Sequence, residues 1–149
     1  MPSYPYIFYA EPSMLGHLPP SRMIWIPAKL QNQEQLFHHL RRQLPTSVTK
    51  TLETSWDSLE ACLDTLSLPT QPLTFFIHEN IPALPKEDQI SYMRSLSKFS
   101  MSAHDQRSNL TAMFPLEDMR VIEKLHNEAT KQEDVHAQDY DDTEEDVAA

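Results

Sequence analysis

One glycine, Gly16, in a chain of 149 residues excludes phosphate-binding loops and dinucleotide fingerprints, which need several glycines so that backbone amides can approach phosphate oxygens. One cysteine, Cys62, excludes an intramolecular disulfide and makes a reducing compartment, the cytoplasm, the expected location. No apolar run approaches the roughly 18 residues of a membrane span, and the opening residues lack an export signal, so no membrane partner is expected. Basic residues are scarce, with 12 Lys and Arg against 22 Asp and Glu, and Arg41-Arg42 is too short a patch for direct nucleic-acid binding. The histidines, His17, His38, His39, His78, His104, His126 and His136, show no metal-ligand spacing. Adjacent His38 and His39 would project about 100° apart on a helix, so no metal or other cofactor is expected.

The formal charge of -10 is concentrated at one end. From Glu128 to Ala149 nine acids face Lys131 alone, a net of -8. Such a segment has too little apolar content to offset an ordering cost of about 1 to 2 kcal/mol per residue, so residues 128–149 are expected to form a disordered acidic tail. Its other reading is an electrostatic lure for a basic partner. Residues 1–22 carry Pro2, Pro5, Pro12, Pro19 and Pro20 around one aromatic run, Tyr6-Ile7-Phe8-Tyr9. They read as an extension wrapped on the domain, with the aromatic run able to add an edge strand. The domain itself is expected over 23–127, enough chain for one core without disulfides.

Within that domain, Met23-Ile24-Trp25-Ile26 has the length and branching of a buried strand. Asn32 and Gln35 have capping-box spacing, and Leu36, Phe37, Leu40 and Leu44 recur at helical intervals until Pro45. Residues 46–53 read as a polar connection. After a second helix and the prolines Pro69 and Pro72, Leu73-Thr74-Phe75-Phe76-Ile77 reads as another strand. A helix is expected from near Lys86 with Ile90, Met93, Leu96 and Phe99 inward, then a strand over Leu110–Phe114 ended by Pro115, and a last helix over Glu117–Asn127. This alternation predicts an α/β domain with a small three-stranded parallel sheet and helical crossovers.

The second helix carries the most information. Thr54 or Ser55 can cap its start, with Asp57 at capping-box distance from Thr54. At about 100° per residue, Leu59, Cys62, Leu63 and Leu66 gather on one side. Asp57, Glu60 and Asp64 fall on the other, free to present carboxylates to a partner. Trp56 stands beside Asp57, at an angle that favours the edge of the core over a free contact. Cys62, between Leu59 and Leu66, reads as an inert core thiol.

Three pieces resemble the barstar family: Gln35-Leu36-Phe37-His38-His39-Leu40-Arg41-Arg42-Gln43-Leu44-Pro45, the Trp56-Asp57-Ser58-Leu59 to Cys62-Leu63 core, and the Leu110–Pro115 strand. The resemblance covers about Met23 to Leu116. It implies a barstar-like fold and an immunity-type inhibitor, in which the second helix and the loop before it cover the basic active site of a ribonuclease or ribonuclease-like toxin. The role of the family's first acid falls on Asp57, beside Trp56. The family's second acid, four residues on, is replaced here by Ala61, with Glu60 the nearest substitute and about 100° away around the helix. No enzyme activity is implied.

Two other readings stand beside this one. A non-inhibitory interaction module would keep the fold and use the aromatic run or the acidic tail. A small enzyme would be built around His78, Glu79 and Asn80, which follow a strand where open parallel sheets place ligands.

Overall fold

The structure, a computed structural model, describes residues 6–18, 21–99 and 109–131. Its centre is a parallel sheet of β1 (Tyr6–Tyr9), β2 (Arg22–Ile26), β3 (Thr74–His78) and β4 (Leu110–Pro115), in the order β1-β4-β3-β2. The α/β class agrees with the sequence reading. The three-stranded count does not, because the Tyr6–Tyr9 run adds to β4 in parallel, with Tyr6 opposite Ala112 and Phe8 opposite Phe114. Part of the segment before Met23 therefore belongs to the sheet, and Arg22 already lies in β2.

Five helices accompany the described strands: α1 (Gln33–Gln43), α2 (Thr46–Thr49), α3 (Trp56–Ser67), α4 (Lys86–Phe99) and α5, residues 119–131. Asn32 caps α1 as its spacing predicts, its side chain accepting from the Gln35 N–H at 2.9 Å. The connection expected over 46–53 contains the short α2, which buries Val48 and is followed by buried Leu52. Their burial explains why the segment folds against the domain. A 3-10 turn over Leu116–Asp118 leads into α5, which runs past Asn127 and includes residues 128–131 of the acidic segment. The rest of the expected tail, residues 132–149, lies outside the described residues. Among the described residues no helix is long and apolar enough to cross a membrane.

Alternation along the strands divides the sheet into two unequal faces. Ile24, Ile26, Phe76, Leu110, Ala112 and Phe114 point into the main core, where helices supply Leu36, Phe37, Leu40, Leu59, Leu63, Leu66, Tyr92, Met93, Leu96, Ile122 and Leu125. Tyr9, Phe75, Ile77 and Met113 form a smaller cluster on the other face, covered by Leu15 and Leu18. That cover follows from topology. β1 and β2 lie at opposite edges, so the chain joining them, including the 3-10 turn Pro12–His17, must cross the sheet. The crossing leaves Trp25 and Met23 of β2 exposed.

Candidate functional site

Ser55 fixes the start of α3, its hydroxyl accepting from the Ser58 N–H at 3.2 Å. The capping-box position is therefore held by Ser58 rather than Asp57. Ser58 also accepts from the Glu53 N–H at 3.1 Å, tying the preceding loop to the first turn. From α1, Arg41 Nε donates to the Leu52 carbonyl at 3.2 Å and Nη2 to Thr54 Oγ1 at 3.1 Å. The segment before α3 is thus braced from both sides. Asp57 stands exposed in the first turn, where the unpaired backbone N–H groups favour a negative charge.

The apolar side of α3 is buried as its periodicity predicts, with Leu59, Leu63 and Leu66 fully enclosed and Cys62 nearly so. Burial pushes the Cys62 thiol up to about 11, so it is not a nucleophile at neutral pH. Trp56 packs its ring against Phe37, with centroids 5.5 Å apart, and against Tyr92 at 6.4 Å. It joins the edge of the core and holds the first turn of α3 against α1 and α4.

The acids do not act as one set. Asp57, Ala61 and Asp64 form the exposed stripe, spaced i, i+4, i+7. Glu60 leans toward α4, where its Oε1 lies 2.8 Å from Lys98 Nζ. The expectation that Glu60 presents a free carboxylate is therefore corrected. Helical spacing alone puts Glu60 on the solvated side of α3, but α4 packs close enough along that side to supply a cation. Glu53, at the end of the braced loop, is a further exposed acid near the helix start, which helical periodicity did not mark.

His78, the candidate catalytic residue, is fully buried. Its ring stacks on Phe114 with centroids 4.0 Å apart. Nδ1 lies 2.9 Å from the Met113 carbonyl, which can only accept, so Nδ1 carries the proton and Nε2 accepts from the Tyr92 hydroxyl at 2.6 Å. Burial lowers its pKa to about 4, against smaller opposing effects from backbone hydrogen bonds. The imidazole is a neutral structural pin between β3, β4 and α4, with no route to a substrate.

A cavity of about 360 Å³ does open at the carboxyl ends of the strands, lined by Tyr9, Trp25, Glu79, Leu116 and Glu117 among others. Tyr9 donates its hydroxyl proton to the His78 carbonyl, and its pKa is raised by burial first and then by Asp118, Glu117 and Glu79. Asn80 joins the two loops there, donating to Glu117 Oε1 at 2.9 Å and Asp118 Oδ2 at 3.0 Å. Among the described residues, no group of three or more His, Cys, Asp and Glu is placed to hold a metal ion.

No protein family, curated protein or solved structure matches the chain.

Proposed function

We propose that this chain is a cytoplasmic, immunity-type inhibitor of a ribonuclease or ribonuclease-like toxin, which it blocks by laying the start of α3 and the braced loop before it over a basic active site. It is neither an enzyme nor a direct nucleic-acid binder in this reading. The observation that carries it is the exposed stripe of Asp57 and Asp64 on a helix whose opposite side is locked in the core. The run β2, α1, α2, α3, β3, α4, β4, in which α2 is a single turn and β2, β3 and β4 are adjacent in the sheet, supports the barstar resemblance.

Carboxylates facing catalytic Arg, Lys or His gain charge-assisted hydrogen bonds, while the protein body excludes substrate. Rigid presentation favours such a contact, because the Arg41 and Ser58 hydrogen bonds limit the ordering needed on binding. Asp57 is the principal contact, Asp64 the second, and Trp56 their support. Glu60 contributes through Lys98 rather than directly.

The test is inhibition and co-purification of candidate basic nucleases. Asp57→Ala should weaken inhibition by roughly tenfold to a hundredfold, as expected for losing a hydrogen bond to a charged group worth about 1.5–3 kcal/mol. Asp64→Ala should weaken it less and Glu60→Ala least. Full inhibition by an Asp57→Ala, Asp64→Ala protein would remove the mechanism. Ala61 in the middle of the stripe favours the second reading, an interaction module that captures a partner without blocking it. Stable capture with undiminished nuclease turnover would decide for that module.

A further inference from the structure

The cavity at the carboxyl ends of the strands combines features that α3 does not have. It places an exposed indole, Trp25, in the same space as two carboxylates, Glu79 from the end of β3 and Glu117 from the turn after β4. Leu116 adds an exposed apolar wall. In open parallel sheets this end of the strands is where ligands commonly bind.

Each carboxylate is held by one oxygen. Glu79 Oε1 accepts from the Ala28 N–H at 3.0 Å, and Glu117 Oε1 accepts from Asn80 Nδ2 at 2.9 Å. Neither Oε2 accepts a hydrogen bond from a described residue. The side chains are therefore positioned, with acceptor capacity left over beside an aromatic face. Tyr9 does not contribute a donor, because its hydroxyl is committed to the His78 carbonyl.

We propose that this cavity binds the guanidinium of an arginine side chain presented by a protein partner. A planar guanidinium stacks on an indole and donates N–H groups to carboxylates at its edge, so it uses both features together. A quaternary ammonium has no N–H for the carboxylates and would meet one exposed ring instead of an aromatic cage. A neutral ligand would leave the charge of Glu79 and Glu117 unanswered. The cavity volume suits the end of one long side chain rather than a folded segment. This inference stands apart from the reading of α3, since it shares no residue with that surface.

The experiment follows the two indole N–H resonances of the 149-residue protein by NMR, with Trp25→Phe assigning the Trp25 signal and Trp56 serving as internal reference. N-acetyl-arginine methylamide should move the Trp25 signal to saturation and leave Trp56 nearly still. The citrulline counterpart, equal in shape but uncharged, should bind at least about tenfold more weakly, as should tetramethylammonium. Free arginine should also bind more weakly, because its α-carboxylate meets the same acidic rim.

In the Glu79→Gln, Glu117→Gln protein the response to the arginine probe should fall to the citrulline level. Glutamine keeps the oxygen that accepts from Ala28 or Asn80, and an unchanged urea midpoint will verify that the fold survives. Asp57→Ala should bind the probe as the parent does. Equal responses to arginine and citrulline, undiminished binding by the glutamine variant, or loss of binding in Asp57→Ala would each overturn the site. Tighter binding of tetramethylammonium would overturn the guanidinium, and tighter binding of free arginine would overturn the protein partner.

Discussion

Acidification should unfold this protein in part through His78. Its neutral ring is sealed between Phe114, Tyr92 and the Met113 carbonyl, and burial lowers its pKa from 6.5 to about 4. Below pH 6.5 the unfolded chain takes up a proton at this position while the folded chain does not, so stability rises with pH across this window. The contribution is complete above the unfolded value and is lost as pH falls toward the folded one. With about 1.36 kcal/mol per pKa unit, the full loss is about 3 kcal/mol, and about 2 kcal/mol is gone by pH 5. Set against a typical domain stability of about 5–15 kcal/mol, this is a large share.

Urea titrations followed by far-UV circular dichroism at intervals between pH 7 and pH 4.5 will measure the slope. His78→Gln supplies the comparison, because glutamine can still pair with the Met113 carbonyl and the Tyr92 hydroxyl but does not titrate. The variant should be less stable at pH 7, having lost the ring stacked on Phe114, and should show the shallower pH dependence. Carboxylates contribute to both proteins and cancel in the difference between slopes. Parallel curves for parent and variant, or an imidazole NMR signal that titrates near 6.5 in the folded parent and is missing from His78→Gln, would refute the account of His78 as a sealed neutral pin.

Two further predictions concern α3. Ser55→Ala should cost about 1 kcal/mol by removing the acceptor for the Ser58 N–H, whereas Thr54→Ala should cost less, and thermal denaturation of the two variants will separate the real cap from its neighbour. Cys62, 2% exposed and with its thiol pushed up to about 11, should resist a thiol-specific reagent at pH 8 in the native protein and react readily in urea; fast labelling without denaturant would contradict its place in the core.

Element type was legible wherever one physical signal dominated. Asn32 followed by a 3.6-residue apolar repeat specified α1, and the aromatic and β-branched run from Phe75 to Ile77 specified β3 because that strand is covered on both faces. β1 was harder, since a four-residue run among prolines has no period of its own and becomes a strand through pairing with β4. α2 was missed for a related reason. Four residues make a single turn, stabilised by burying Val48 rather than by local propensity. At the candidate site, helical spacing placed Asp57 and Asp64 on the surface but could not show that α4 brings Lys98 to Glu60. Which acid stays free is decided by a residue 38 positions away in the chain.

That pairing gives α3 a division of labour that the bare pattern conceals. An ion pair with a half-exposed lysine contributes at most about 1 kcal/mol, so its main effect is directional. Glu60 and Lys98 register α3 against α4 as Trp56 registers it against Phe37 and Tyr92. The outward stripe retains two acids with Ala61 between them, and the acid one turn from each, Glu60, is turned toward Lys98 rather than along the stripe. If α3 is the inhibitory surface proposed above, such a stripe suits a target whose positive groups are separated along the helix better than one with a single focal charge. On that proposal, Ala61→Glu would make the acidic stripe continuous and should tighten binding of a target with one concentrated cationic cleft, measured by titration calorimetry, while leaving the urea midpoint nearly unchanged because residue 61 is exposed; equal or weaker binding would count against α3 as the contact surface.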